Sequence, residues 1–143
     1  MIVNITEVMT INAESCTPES TCKEVAVKMK DLDVGVIPIC DNQKLVGIIT
    51  DRDLVLQGLA NNLSSESTIA GLMSKDVVTG TKDMSIKEAA NVMSQEKIRR
   101  LPIVEKGNLV GIVSLGDLAI NNQSNQKAGN VLEEISMPAE PKR

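Results

Sequence analysis

The sequence contains an internal repeat, with two similar copies at a constant spacing. The ten residues LVGIITDRDL at positions 45–54 return as LVGIVSLGDL at positions 109–118, an offset of 109 − 45 = 64. The similarity extends without a gap over residues 2–57 and 66–121. A chain duplicated in this way is expected to fold into two similar units, so any site in one copy has a counterpart in the other.

Both copies carry signals for the same helices and strands. Thr21 with Glu24, and Ser85 with Glu88, have the spacing of a capping box, which predicts helices that begin at Cys22 and Ile86. Apolar residues then recur at helical spacing, as expected for one buried face. Strand-like runs follow at 34–40 and 98–104, and each copy reads helix, strand, helix, strand, strand, helix. The strands exclude a purely helical repeat.

This order of elements predicts an α+β fold, a pseudo-twofold pair in which each copy is a small sheet with helices packed on it. We divide the chain into residues 1–65, the first copy with its connector; 66–121, the second copy; and 122–143, a polar tail. Val131, Leu132 and Ile135 predict a short helix in that tail. Clefts lined by both copies are where a ligand is expected.

Composition narrows the classes of function. The chain of 143 residues has a formal net charge of −4 and contains no histidine and no aromatic residue. Acidity disfavours nucleic acid, and the absence of histidine excludes Ser-His-Asp and Cys-His catalysis. A bound purine would have to be held by aliphatic side chains and main chain rather than by ring stacking.

Three cysteines, Cys16, Cys22 and Cys40, make neither a paired disulfide framework nor a familiar metal site, and we expect reduced packing residues and no bound metal. No apolar run reaches the roughly 18 residues of a membrane span, and the first ten residues lack the features of a signal peptide. A cytoplasmic protein without membrane association is therefore expected.

Several paired motifs resemble those of tandem cystathionine-β-synthase (CBS) domains. They are Met-Thr at 9–10 and Met-Ser at 73–74, Ile-Pro-Ile at 37–39 and Leu-Pro-Ile at 101–103, and the closing motifs GIITxxDL at 47–54 and GIVSxxDL at 111–118. The resemblance covers nearly the whole chain up to about residue 120. The tail at 128–135 is similar to that of small stand-alone bacterial members.

The resemblance implies a regulatory module rather than an enzyme. Such modules bind adenosine-containing ligands, among them AMP, ADP, ATP, S-adenosylmethionine and NAD, in the clefts between the copies. No cofactor is required, and the adenosine compound is a regulatory ligand. A homodimer formed through helices and a regulated protein partner are also implied.

The resemblance also assigns roles to residues. Asp53 and Asp117 would take the ribose hydroxyls, and Thr50 and Ser114 would approach ribose or phosphate. The basic residues beside the inner proline or before the aspartate would take phosphate: Arg99, Arg100 and Arg52. The apolar residues before the prolines and the threonines where the first strand meets the cleft complete the candidate set: Ile37, Leu101, Thr17 and Thr81.

Each assignment has a plainer alternative. Thr50 with Asp53, and Ser114 with Asp117, also have the spacing of a helix cap that needs no ligand, and both descriptions can hold together. Single arginines are usually solvated or paired on the surface. The threonines also suit turns.

The two copies differ in their cations. The places of Arg99 and Arg100 hold Gly35 and Val36 in the first copy, whereas Arg52 has Gly116 as its counterpart. Because guanidinium groups bind phosphate oxygens well, the Asp117 site is expected to be the better site for a phosphorylated ligand.

A second class of function remains open from the sequence. The chain would then be a ligand-free interaction or dimerisation module, in which the two aspartates only cap helices. Nucleic-acid binding rests on Arg99 and Arg100 alone, and catalysis has the least support.

Overall fold

The computed structural model describes residues 2–120, so the helix predicted around residues 131–135 lies outside the described residues. The chain forms two compact units. One comprises Glu14–Val77 with Gly107–Leu109, and we call it the Asp53 unit. Among the described residues, the other comprises those at 2–13, 78–106 and 110–120, and we call it the Asp117 unit. The division of the sequence at residues 65 and 121 stays a prediction about the repeat.

The Asp53 unit contains two helices and a β-hairpin. Its second helix, α2, changes its winding along its length. The elements are α1 (Cys22–Leu32), β1 (Val36–Asp41), β2 (Lys44–Thr50) and α2 (Asp51–Asp53), which continues as a π-helical turn (Leu54–Gly58) and a 3₁₀ turn (Leu59–Asn61).

The Asp117 unit repeats this order with a more regular last helix. Its elements are a 3₁₀ turn (Ile5–Glu7), β3 (Gly80–Thr81), α3 (Ile86–Glu96), β4 (Arg100–Glu105), β5 (Asn108–Ser114) and α4 (Leu115–Ile120). The α+β class predicted from the sequence is confirmed.

The helix starts predicted from the capping boxes are confirmed. The Thr21 hydroxyl accepts from the Glu24 N–H at 3.1 Å, and the Glu24 carboxylate accepts from the Thr21 N–H at 2.9 Å. Ser85 and Glu88 make the same two bonds at 3.1 and 3.0 Å. The hydrogen bond from the Thr21 N–H holds the pKa of Glu24 below its ordinary value, so this bond stabilises the fold at neutral pH and is lost in acid.

Strand pairing is antiparallel in the Asp53 unit. Strands β1 and β2 pair from Val36 opposite Thr50 to Asp41 opposite Lys44. In the Asp117 unit β4 lies between β5 and β3, and β3 pairs with it in parallel. The Asp53 unit has only a single parallel bridge at the place of β3, between Cys16 and Ile39.

Each unit buries its own apolar core beneath the first helix of its repeat. Val25 and Met29 of α1 are buried in the Asp53 unit, and Ala90 and Met93 of α3 are buried in the Asp117 unit. The helical stripes predicted from the sequence therefore face the two cores, although two residues of the predicted first stripe, Ala26 and Leu32, are exposed.

The head segment of each repeat packs with the body of the other repeat. In the Asp117 unit the Ile5 N–H donates to the Met84 carbonyl at 2.9 Å, and Thr10 bridges Ile112 of β5. In the Asp53 unit residues 66–74 take the same place, and Ser74 bridges Ile48 of β2. The sequence alone did not reveal this exchange.

The head segments are not the helices that the sequence predicted. The first is one 3₁₀ turn over Ile5–Glu7, and the second consists of turns, bends and two isolated bridges. Their main-chain groups are used in bonds to the neighbouring strands, such as the pair between Ile48 and Ser74 at 2.8 and 2.9 Å. A longer helix would turn those groups inward.

Glycine makes this packing possible. A Cβ at Gly47 would lie 2.9 Å from the Met73 sulfur and 2.9 Å from the Ser74 carbonyl oxygen. A Cβ at Gly111 would lie 2.7 Å from the Met9 sulfur and 3.1 Å from the Thr10 carbonyl oxygen. A side chain at Gly47 would force the main chain of the head segment to shift, whereas one at Gly111 would displace the Met9 side chain and crowd the Thr10 carbonyl.

We predict that Gly47→Ala lowers the free energy of unfolding by about 1–3 kcal/mol, because the added methyl collides with main chain that is itself hydrogen-bonded. The matched control is Gly71→Ala, where nothing lies within 4 Å of the added Cβ, and a change within about 0.5 kcal/mol is expected. Urea denaturation followed by far-ultraviolet circular dichroism measures both. Equal stability of the two variants would contradict the close packing at Gly47.

Candidate functional site

The first candidate site is the cap that joins β2 to α2. The Thr50 hydroxyl accepts from the Asp53 N–H at 3.1 Å, and Asp53 Oδ2 accepts from the Thr50 N–H at 2.9 Å. Thr50 has an extended backbone, as an N-cap residue should, and Asp53 is half-buried. The junction of β2 and α2 therefore holds both side chains in one capping box of two reciprocal hydrogen bonds.

The second candidate site repeats this geometry between β5 and α4. The Asp117 N–H donates to the Ser114 hydroxyl at 3.1 Å, and the Ser114 N–H donates to Asp117 Oδ2 at 2.8 Å. Asp117 is also half-buried. The capping role considered from the sequence is therefore present in both copies.

The cap does not use the whole carboxylate. In both copies the box engages Oδ2, and Oδ1 takes no part in it. A carboxylate oxygen of this kind accepts hydrogen bonds from hydroxyl groups such as those of a ribose. Capping therefore holds the aspartate in one orientation and leaves an acceptor.

A main-chain bond ties each cap to the start of the neighbouring strand. The Leu115 N–H donates to the Arg99 carbonyl at 3.0 Å, and the Asp51 N–H donates to the Gly35 carbonyl at 2.9 Å. These bonds are equivalent, since 115 − 51 and 99 − 35 are both 64. The main chain of Arg99 is thereby held beside the start of α4, and the role of its side chain toward a ligand stays a prediction.

The two arginines of the Asp117 unit have no carboxylate partner in the described part of the chain. Arg99 is exposed and Arg100 is half-buried at the start of β4. Within residues 2–120 the ion pairs are Lys28 with Glu14 and Lys82 with Glu105. These arginines are therefore not ion-paired among the described residues, and the exposed Arg99 fits the alternative of a solvated surface arginine.

The Asp53 cap has a different charge. Asp51 replaces the Leu115 of the other copy, and its carboxylate lies 3.1 Å from where a Cβ at Gly35 would be. Asp51 Oδ1 also accepts from the Arg52 N–H at 2.8 Å, and the Arg52 side chain is exposed. Asp51 is not among the site residues predicted from the sequence, although comparison of the copies at the offset of 64 reveals the exchange.

The remaining candidates lie deeper or in turns. Ile37 and Leu101 are 1% and 0% exposed inside the two cores, so their side chains serve packing. Thr17 lies in a turn closed by the Ser20 N–H, which donates to the Thr17 carbonyl at 3.0 Å. The Thr81 carbonyl accepts from Met84 in an equivalent turn. Both threonine side chains are exposed, and the turn geometry considered for them is observed.

The cysteines are free thiols. Burial raises the pKa of the Cys16 and Cys40 thiols above their ordinary value, so both favour the unreactive protonated form. Within residues 2–120 there is no cluster of three or more histidine, cysteine or acidic residues able to hold a metal ion.

Two surface grooves of the Asp53 unit lie away from its cap. One of about 450 Å³ lies along α1, and one of about 250 Å³ lies between α1 and the turns that follow α2. Neither is lined by a candidate ligand residue.

No helix within the described residues is both long and apolar enough to cross a bilayer.

The fold and the caps define a class of protein: a tandem module of two small α+β units, each with a hydroxyl and an aspartate at a strand-to-helix junction. A model of the CBS domain matches the chain twice, over residues 5–58 and 69–121. The chain belongs to the CBS domain family, which confirms the resemblance seen in the sequence.

Individual relatives are similar over most of their length. The chain is 41% identical over 133 residues to the CBS domain-containing protein YhcV of Bacillus subtilis, covering 93% of this chain and 95% of the relative. The crystal structure of Hypoxic Response Protein I with two coordinated zinc ions is 32% identical, with a TM-score of 0.76 and coverage of 83% and 98%. The CBS domain pair of protein MJ0100, solved with 5′-methylthioadenosine and S-adenosylmethionine, is 28% identical, with a TM-score of 0.73 and coverage of 84% and 95%.

We predict that Asp53→Ala and Asp117→Ala each lower the free energy of unfolding by about 0.5–2 kcal/mol, since each removes one bond of a capping box. Urea denaturation followed by circular dichroism measures the loss. The control is Asp76→Ala, which removes an exposed carboxylate that accepts no hydrogen bond within residues 2–120. Variants as stable as this control would show that the boxes contribute nothing.

Proposed function

We propose that the chain is a regulatory ligand-sensing module that binds an adenosine-containing ligand, such as AMP, ADP, ATP or S-adenosylmethionine, at its aspartate caps, without catalysis. The Asp117 site is the stronger site for a phosphorylated ligand. A regulated protein then responds to the shape that the bound module adopts, which requires the ligand to bind two shapes with different affinity.

The observation that carries this proposal is the Asp117 cap with Arg99 tied beside it. The cap fixes the carboxylate through Oδ2 and leaves Oδ1 as an acceptor for a ribose diol. The bond from the Leu115 N–H to the Arg99 carbonyl holds the main chain of Arg99 at the start of α4, which supports a role for its exposed guanidinium in meeting a 5′-phosphate. One diol acceptor with adjacent cations is the chemistry that a nucleotide needs.

The solved CBS pair of MJ0100 supports the adenosyl class. That protein was crystallised with two compounds that both contain adenosine, and it is 28% identical over 84% of this chain. The proposed preference of the Asp117 site for a ligand with a phosphate, over one with the sulfonium group of S-adenosylmethionine, rests on this chain's own Arg99 and Arg100.

A dimerisation role has its own observation. Exposed apolar side chains gather on the helical segments of the Asp53 unit, where Leu59 is 69% and Val55 is 51% exposed. Soluble surfaces carry such side chains singly, whereas groups of them mark contacts. We therefore propose a homodimer through this helical face, either alongside ligand binding or, in the alternative function, without it.

Isothermal titration calorimetry tests the ligand proposal. AMP, ATP and S-adenosylmethionine are titrated into the wild-type chain and into Asp117→Asn. The asparagine oxygen can still accept from the Ser114 N–H, so the cap persists, but the charge that orders the diol is lost. We predict at least about tenfold weaker binding of AMP with little change in stability.

Two results would separate the functions. Heat from none of the three ligands at millimolar concentration would contradict the sensor and leave the interaction module. AMP binding unchanged in Asp117→Asn would move the site away from this cap. Light scattering with refractive-index detection then tests the dimer, because a chain without tryptophan or tyrosine absorbs little at 280 nm.

A further inference from the structure

The two caps carry opposite charge at equivalent places. We infer that they take different classes of adenosine compound: the Ser114 and Asp117 cap takes an adenosine 5′-phosphate, and the Thr50 and Asp53 cap takes an adenosine whose 5′ substituent is uncharged or cationic. This division rests on the proposed function.

The difference begins where each strand meets its cap. Arg99 and Gly35 occupy the same place in the two copies, and so do Leu115 and Asp51. Both pairs are joined by the same main-chain bond, at 3.0 Å in the Asp117 unit and 2.9 Å in the Asp53 unit. The backbone is thus conserved between the copies while an arginine and a leucine are exchanged for a glycine and an aspartate.

In the Asp53 unit a carboxylate occupies the space of the missing side chain. The Asp51 Oδ2, Cγ and Oδ1 atoms lie 3.1, 3.4 and 3.4 Å from the Cβ position at Gly35. The bond from the Arg52 N–H to Asp51 Oδ1, at 2.8 Å, holds this carboxylate in place. An exposed negative group is therefore held next to the point at which the other copy starts the Arg99 side chain.

In the Asp117 unit no carboxylate lies at the place that corresponds to Asp51. Leu115 is half-buried and packs against the core of that unit. Arg99 is exposed, and Arg100 follows it at the start of β4. The residues at this cap sum to one net positive charge, because Asp117 is accompanied by two arginines.

The Asp53 cap sums to one net negative charge. Arg52 supplies a cation, but Asp51 and Asp53 flank it in the chain. A 5′-phosphate carries up to two negative charges and is repelled by a nearby carboxylate, whereas a neutral or cationic substituent is tolerated or attracted. Removing one such repulsion is worth at least about tenfold in affinity.

Calorimetry on the full chain with two probes tests this division. AMP carries the 5′-phosphate, and 5′-deoxyadenosine lacks it. We expect AMP to fill one site per chain at concentrations where its second site stays empty. In the presence of saturating AMP, 5′-deoxyadenosine should still bind at a second site.

Two double substitutions are expected to change which ligand each cap prefers. Gly35→Arg with Asp51→Leu gives the first cap the residues of the second, and the stoichiometry of AMP should rise from one to two. Arg99→Gly with Leu115→Asp should weaken AMP at least about tenfold and leave 5′-deoxyadenosine bound. Asp51→Asn is the conservative variant: its amide oxygen can still accept from the Arg52 N–H, and AMP should gain at least about tenfold at the first cap.

Different results would contradict the division of ligands between the caps and the proposed function itself. Two equivalent AMP sites in the wild-type chain would overturn the division while leaving the proposed function intact. So would an AMP stoichiometry of one in both Asp51→Asn and the Gly35→Arg, Asp51→Leu variant, when circular dichroism shows that these variants fold. Binding of neither probe to the wild-type chain would overturn the proposed function and the division together.

Discussion

The packing of a distant segment against a glycine, once in each unit, is the contact on which the rest of the structure depends. At Gly47 the Met73 sulfur and the Ser74 carbonyl approach to a distance that no side chain would permit. The paired bonds between Ile48 and Ser74 then cover β2. Because β2 runs from this contact to Thr50, the position of the cap follows from it.

The same contact explains why the repeat in sequence and the compact units in space are composed differently. Residues 66–74 belong to the second repeat but complete the Asp53 unit, and residues 2–10 complete the Asp117 unit. An offset of 64 detects the two copies but carries no information about which copy receives a given segment. Long-range hydrogen bonds decide that, and they are not visible in a local pattern.

Local signals were sufficient for the central elements. The boxes at Thr21 and Ser85 fix helix starts because the bonds join residues only three apart, and both starts were predicted correctly. The head segments were predicted wrongly as helices because apolar spacing alone does not show that their main chain is engaged elsewhere. Nothing in the motif predicts the π-helical turn at Leu54–Gly58, because the matching motif of the second copy begins an ordinary α-helix.

The candidate site shows the same limit. Its hydroxyl and aspartate pairs were evident from the repeated motif, and so was the difference between Arg99 and Gly35. The carboxylate of Asp51 beside Gly35 was not, since its orientation depends on the bond from the Arg52 N–H. The ligand roles of the candidate residues stay predictions. Their capping roles are explained by the bonds within each box.

The central claim is that the Asp117 cap is a nucleotide site whose aspartate serves the helix and the ligand together. A crystal structure of the chain grown with AMP tests it most directly. We predict ribose hydroxyls at hydrogen-bond distance, about 2.5–3.0 Å, from the Asp117 carboxylate, with the phosphate at Arg99 or Arg100. AMP bound elsewhere, or a cap left without ligand at saturating AMP, would contradict it.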